Sequence, residues 1–316
     1  MIRIGALAFF LGAVSTLTFS QILLNPPRDP AIIRVDVKLV NVLFTVRDRN
    51  GGYVKGLRKE DFEIQENGRA QEIRHFAKDL DTPITVALLI DTSGSVSNVL
   101  AIEQEAARKF FKDVLRPTDK ALLVSFASHI AVWQDFTSSI ELLDGALSKT
   151  GEDFQPIRTG EMRYRGGTLL FDSVGLVARD KLVKQQGRKA MVILTDGLDS
   201  GSISSLEAAS QEALKSDTVI FGIHYEAELL PDKKAPGFEV LRKLTEPTGG
   251  RAFQVDRKNT LDKIFAAIQE EMRNQYAIGF KPADEPRDGS FRKLAVKAKK
   301  SGMKITTRNG YFAVRK

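Results

Sequence analysis

The chain has 316 residues, of which 42% are hydrophobic and 28% are charged, and this composition excludes a largely disordered protein. Cysteine is absent, which excludes a disulfide framework, a thiolate metal site and a cysteine nucleophile. The net charge of +7 is spread along the chain, so we interpret it as a source of solubility and expect no nucleic-acid partner.

The first twenty residues have the pattern of a secretory signal peptide (1–20). Arg3 precedes an apolar run, Ile4–Val14, which is shorter than the roughly 20 residues that a membrane-spanning helix needs. Because Thr18 and Ser20 are small or polar, we expect cleavage after Ser20. A retained N-terminal anchor is the alternative. We therefore expect a secreted or periplasmic protein that has no integral membrane segment after signal removal.

Residues 30–80 have a β-like rhythm. Apolar residues alternate with polar ones over 33–39 and then, with the opposite parity, over 40–46. Such a change of parity predicts a bulge or a strand that changes sheets. Asn67-Gly68 predicts a two-residue hairpin turn, with Ile73 on the return strand.

Between residues 83 and 275, predicted strands alternate with predicted helices. The segment 84–90 is a short continuous apolar run, which is typical of a strand that is covered on both faces. The segment 261–272 has the clearest helical stripe in the chain. This alternation predicts an α/β fold with a doubly wound, mainly parallel sheet.

The β-like rhythm returns over residues 276–316, where Leu294, Val296 and Ala298 alternate with lysines. Neither β-rich end of the chain is expected to be stable alone, because two or three short strands rarely are. The sequence therefore predicts one small β-sandwich formed by both chain ends, 30–80 and 276–316, with the α/β domain (83–275) inserted between them.

Three polar loops lie beside predicted core elements. Asp91-Thr-Ser93-Gly-Ser95 follows the most hydrophobic strand, Gly-Gly-Thr168 opens a helix, and Thr-Asp196-Gly ends the second buried strand. Ligands bind at the carboxyl edge of a doubly wound sheet, and carboxylate and hydroxyl oxygens suit a hard cation such as Mg²⁺. For the first loop alone, capping of the next helix by Asp91 and Ser93 is the alternative interpretation.

In order and spacing, these five residues resemble the metal-ion-dependent adhesion site of von Willebrand factor type A domains. The resemblance covers roughly residues 83–274. On the flanks, Gly56-Leu-x-x-x-Asp61-Phe-Glu63 with Glu66-Asn-Gly68, and Arg308-Asn-Gly-Tyr311, resemble a bacterial exported subfamily described as von Willebrand factor type A-related. The resemblance implies a Rossmann-like fold for the inserted domain.

The resemblance also implies a role for each of the five residues. The hydroxyls of Ser93, Ser95 and Thr168 are expected to contact the metal directly, whereas Asp91 and Asp196 are expected to act mostly through water. The expected cofactor is Mg²⁺, with Mn²⁺ or Ca²⁺ as alternatives. A coordination position that is left to water can accept a carboxylate from a partner protein.

Two further loop segments adjoin the predicted metal loops. The segment 151–165 leads into the Thr168 loop, and we expect it to contribute to partner binding. Asp199 and Ser200, which follow the Asp196 loop, are interpreted as a solvated turn, with support of the metal ligands as the alternative. The expected partner-binding residues are Asp153, Phe154, Arg163 and Tyr164.

The leading functional hypothesis is an exported, non-enzymatic protein that mediates metal-dependent adhesion or protein–protein interaction. One alternative is a structural or assembly subunit whose metal only stabilises the fold, and the other is a metal-dependent hydrolase. A phosphatase of the haloacid dehalogenase type would need a carboxylate where Ser93 stands. A serine hydrolase would need Gly-x-Ser-x-Gly and a placed histidine, and neither Ser93 nor Ser95 has that frame. We therefore expect no enzyme.

Overall fold

The computed structural model describes residues 39–78, 82–94, 100–151, 167–225, 236–282 and 288–313. The predicted signal peptide and the predicted strand over 33–38 lie outside these ranges. The first described strands are β1 (Val40–Arg47), β2 (Phe62–Glu66), β3 (Arg69–Gln71) and β4 (Ile73–Ala77).

A two-residue turn joins β2 to β3, as predicted. Asn67 and Gly68 have φ angles of 48° and 80°, and the flanking strands pair antiparallel. Both residues adopt the left-handed conformation that this turn requires, which explains the Asn-Gly dipeptide. The prediction that Ile73 lies on the return strand is wrong. The chain changes sheets after Gln71, so Ile73 begins β4 in a different sheet.

The central region alternates strands with helices. Its strands are β5 (Ile84–Asp91), β6 (Lys120–Phe126), β7 (Ile130–Thr137), β8 (Arg188–Thr195), β9 (Thr218–His224) and β10 (Ala252–Gln254). Its helices are α1 (Leu100–Val114), α2 (Ile140–Leu147), α3 (Leu170–Leu176), α4 (Leu206–Lys215), α5 (Pro236–Thr245) and α6 (Leu261–Arg273). None of the helices in the described ranges combines the length and the apolar composition that crossing a membrane requires.

These six strands form one sheet in the order β10-β9-β8-β5-β6-β7, and every neighbouring pair is parallel except β6 with β7. Strands β5 and β8 are buried along their whole length. The reason is that α1, α2 and α6 pack on one face of the sheet, whereas α3, α4 and α5 pack on the other. The prediction of a doubly wound, mainly parallel α/β fold is confirmed.

The strand order places a topological switch point between β5 and β8. From β5 the chain passes through α1 to β6 on one side, and from β8 it passes through α4 to β9 on the other side. Crevices that bind ligands in doubly wound sheets lie outside the carboxyl ends of the strands at such a point. The loops after Asp91 and Thr195 therefore lie where a ligand site is expected.

The last described strands are β11 (Tyr276–Phe280), β12 (Phe291–Ala298), β13 (Lys304–Thr307) and β14 (Gly310–Phe312). Together with β1–β4 they form two antiparallel sheets, in the orders β13-β1-β11-β4 and β14-β12-β2-β3. Both chain ends thus contribute strands to both sheets. One hydrophobic cluster joins Phe44 and Ile278 of the first sheet to Ile64 and Val296 of the second. The boundaries of independently folding domains stay a prediction.

Candidate metal centre

Asp91 lies at the end of β5, and its carboxylate accepts hydrogen bonds from Thr195 and Ser93. Its Oδ2 accepts a bond of 2.6 Å from the Thr195 hydroxyl, and its Oδ1 accepts one of 2.9 Å from the Ser93 backbone N–H. Thr195 reaches Asp91 because Ile90 and Leu194 are direct neighbours in the β5–β8 pair. The side chain is 0% exposed, so its position and its environment are both set by the sheet.

The electrostatic surroundings of Asp91 disfavour its negative charge. Burial raises the pKa of the Asp91 carboxyl, the hydrogen bonds from Thr195 and Ser93 oppose this shift, and the Asp196 carboxylate adds to it. No basic side chain in the described ranges forms an ion pair with Asp91. A bound cation would supply the positive charge that favours the ionised form.

The Thr168 loop is joined to the loop that follows β8. The Thr168 N–H donates to the Ser200 hydroxyl over 3.0 Å, and the Thr168 carbonyl accepts from the N–H groups of Ser200 and Gly201 over 3.2 and 3.1 Å. Gly167 has a φ of +92°, and a Cβ there would lie 2.7 Å from the Ser200 hydroxyl oxygen. Glycine is therefore required for the two loops to approach so closely.

Asp196 lies at the start of the loop after β8, and its Oδ1 accepts a 2.9 Å bond from the Leu198 N–H. The next residue, Gly197, has a φ of +76°, and a Cβ there would lie 2.2 Å from the carbonyl oxygen of Gly237 in α5. The loop therefore passes directly over the start of α5. Asp196 is 9% exposed, so it is buried but slightly more accessible to solvent than Asp91.

Asp199 is not the simple solvated turn that was predicted. Its carboxylate accepts bonds from the Phe171 N–H at 3.0 Å, the Ser202 N–H at 3.2 Å and the Ser202 hydroxyl. The neighbouring Asp172 carboxylate accepts 2.9 Å bonds from the N–H groups of Ile203 and Ser204. These bonds tie the first turn of α3 to the loop after β8. The interpretation of Asp199 as a solvated turn is therefore wrong, because the carboxylate connects two of the three predicted metal loops.

Glu103 was missed by the sequence analysis. It lies in the first turn of α1 and is 0% exposed, and neither carboxylate oxygen has a hydrogen-bond partner among the described residues. Burial raises the pKa of the Glu103 carboxyl to about 8, and the Asp91 carboxylate adds to this increase. A signal was present, because Glu103 interrupts the apolar stripe of Ala106 and Phe110 on the buried face of the helix.

The structure thus brings Asp91, Ser93, Thr168 and Asp196 into loops at one edge of the sheet. Within the described part of the chain, no group of three or more His, Cys, Asp or Glu side chains could hold a metal ion. The predicted donor set instead contains two carboxylates and several hydroxyls, which fits Mg²⁺ or another hard cation that prefers oxygen. The other predicted site residues lie outside the described ranges: Ser95, Asp153, Phe154, Arg163 and Tyr164.

A family model matches part of the central region. Residues 86–198 match the profile of the von Willebrand factor type A domain, and this segment contains the five predicted metal-site residues. A UPF0353 protein of Mycolicibacterium vanbaalenii is 25% identical over an alignment of 209 residues that covers 59% of this chain. The match spans 60% of the length of that relative.

Two solved structures are similar to part of the chain. Conserved hypothetical protein BatB from Bacteroides thetaiotaomicron has a TM-score of 0.45 and 16% identity, over 60% of this chain and 97% of that one. The vWF domain of the type V pili tip protein Mfa5 from Porphyromonas gingivalis has a TM-score of 0.46 and 15% identity, over 61% of this chain and 96% of that one.

Proposed function

We propose that this chain is an exported, non-enzymatic binding protein that holds a divalent cation at the carboxyl edge of its parallel sheet and binds a partner protein through that ion. Mg²⁺ is the proposed ion, with Mn²⁺ and Ca²⁺ as alternatives. The hydroxyls of Ser93, Ser95 and Thr168 would contact the ion, and Asp91 and Asp196 would act mostly through water. The bound ion would supply an electrophilic centre that accepts a carboxylate ligand.

The observation that carries this proposal is the arrangement around Asp91. A fully buried carboxylate lies at the switch point of the sheet and is oriented by Thr195 and Ser93. The loops that carry Thr168 and Asp196 are joined to each other by the bonds between Thr168 and Ser200. Oxygen donors from three loops converge on one edge of the sheet. This arrangement fits a site for a hard cation better than it fits a turn with a purely structural role.

Neutral hydroxyl ligands support a role in adhesion over one in hydrolysis. Two carboxylates balance a divalent charge, and hydroxyl ligands add no further negative charge, so the ion stays attractive to an anionic ligand. We therefore propose a partner protein that offers a glutamate or an aspartate. The alternative, a structural subunit whose metal only stabilises the fold, predicts partner binding that persists after chelation.

The first experiment measures unfolding of the full chain with and without Mg²⁺, for the wild type and for Asp91→Ala. At a hundredfold excess over Kd, the ion is expected to stabilise the wild type by about 2–3 kcal/mol. The Asp91→Ala variant should gain almost nothing, whereas Asp48→Ala, an exposed aspartate in a turn, should respond like the wild type. Isothermal titration that detects no divalent-metal binding up to millimolar concentration would refute the proposal.

The second experiment tests the partner. The protein is used to capture ligands from its native cell envelope, with and without EDTA. Capture should be lost with EDTA and with Thr168→Ala. Capture that survives both treatments would favour the structural alternative.

Export has its own test. The sequence places cleavage after Ser20, so mass spectrometry of the protein recovered outside the cytoplasm should find Gln21 or a close neighbour at its N-terminus. Recovery of Met1 or Ile2 on that protein would contradict this part of the proposal.

A further inference from the structure

Glu103 is a buried carboxylate without a structural explanation. Its side chain is 0% exposed, and in the described part of the chain neither of its oxygens accepts a hydrogen bond. A buried ionised carboxylate without partners is strongly unfavourable, and even a neutral buried acid leaves polar atoms unsatisfied. The position thus costs stability, and a cation bound nearby would offset that cost.

Two other buried glutamates are paired with arginines, whereas Glu103 is not. Glu66 is bonded to Arg292, and Glu271 is bonded to both Arg47 and Arg251. Glu103 has no such arginine or lysine among the described residues. Its helix position, with Ala106 and Phe110 on the same buried face, also keeps the carboxylate away from bulk water.

The surroundings of Glu103 place it at the same sheet edge as the candidate metal centre. It lies in the first turn of α1, the helix that follows the loop after Asp91. The Asp91 carboxylate acts electrostatically on Glu103, and Glu103 acts in turn on the hydroxyl of Tyr225, the residue after β9. Because α1 joins two parallel strands, β5 and β6, its first turn lies at the carboxyl ends of the strands, and the burial of Glu103 shows that it faces inward there.

We propose that Glu103 is a third carboxylate of the metal centre and strengthens the binding of a divalent cation without contacting it directly. This inference rests on the proposed function. An indirect role is favoured because the described residues hold no group of three acidic or histidine side chains with metal-ligand geometry. The carboxylate would orient a water molecule bound to the ion, or would add negative potential at the site, and either action raises affinity for the cation.

The test compares Glu103→Gln with the wild type in the full chain, with Mg²⁺ alone as the probe in isothermal titration. Glutamine keeps the size of the side chain and removes its ability to ionise. We expect Mg²⁺ affinity to fall by about 10-fold. With EDTA, the melting temperature should stay equal or rise, because a buried ionisable group has been removed. Glu103→Met provides a second variant with an apolar side chain, and the same two changes are expected.

Glu105→Gln is the matched control, since it makes the same change of charge on the same helix at a side chain that is 74% exposed. This control should bind Mg²⁺ like the wild type. Unchanged Mg²⁺ affinity in both Glu103 variants would overturn the inference while leaving the proposed function intact. A wild type that binds no Mg²⁺ would overturn the proposed function and this inference together.

Discussion

Four buried carboxylates form two contrasting groups in different parts of the molecule. Glu66, in the antiparallel part, and Glu271, where α6 approaches β1, are each bonded to arginine. Asp91 and Glu103, at the carboxyl edge of the parallel sheet, have no basic partner among the described residues. The first group is neutralised by the chain itself, whereas the second group is suited to a cation from solution. This difference supports the proposal of a metal at that edge.

The largest effect should come from separating the two regions. A chain that ends at Asn274 loses β11–β14, so the cluster around Phe44 and Ile64 loses its partners from the C-terminal end. We expect such a chain to aggregate, and light scattering would detect this. Residues 83–274 alone should fold and keep the Mg²⁺ response. Cooperative unfolding of an isolated 30–80 fragment would contradict the shared core.

The next largest effect is expected for the buried carboxylates that are paired with arginine. Glu271→Ala leaves Arg47 and Arg251 beside a buried position without their carboxylate. We expect a loss of about 2–3 kcal/mol in the free energy of unfolding, at the low end for buried pairs because both arginines are partly exposed. Denaturant titration should show the loss equally with Mg²⁺ and with EDTA. Glu270→Ala, the exposed neighbour, is the control, and a similar small effect for both variants would show that the ion pairs contribute little.

Asp199 tests how the loops at the metal edge are held. Asp199→Ala removes the acceptor for the Phe171 N–H and for Ser202. We expect a loss of about 1–2 kcal/mol in stability together with weaker Mg²⁺ binding, because the loops that carry Thr168 and Asp196 would separate more easily. Asp288→Ala, at an exposed turn, is the control. Wild-type Mg²⁺ affinity in Asp199→Ala would show that the loops are held without this carboxylate.

The smallest effect is expected on the exposed rim of the same edge. Leu198 and Ile203 are 52% and 71% exposed, although both lie in the loop after β8. Changing each to serine should alter the free energy of unfolding by no more than about 0.5 kcal/mol. Mg²⁺ affinity, measured by titration, should also stay unchanged. A loss of more than about 1 kcal/mol would mean that the rim, like Asp199, helps to hold the loops.

Several features of this protein could be predicted from the sequence because their signals lie within short stretches of neighbouring residues. The continuous apolar run of β5 and the helical stripe of α6 each predicted the correct element. The Asn67-Gly68 turn was also predictable, because its backbone conformation depends on two neighbouring residues. The oxygen side chains of the Asp91 loop also indicate a cation site, which stays a prediction.

Other features depended on contacts between residues that are distant in the chain. Strand β13 has little apolar alternation, and its pairing with β1 joins Thr307 to Phe44. The chain changes sheets before Ile73 because β4 pairs with β11, a strand from the other end of the chain.

The same limit applied at the candidate site. Asp199 receives its bond from Phe171, 28 residues earlier. The Glu103 carboxylate is unusual only because α1 packs it against the sheet near Asp91. The sequence by itself determined the local elements and the oxygen-rich loops, since their signals lie within a few residues. The tertiary structure alone decided which carboxylates are neutralised, because burial and ion pairing depend on which distant segments meet.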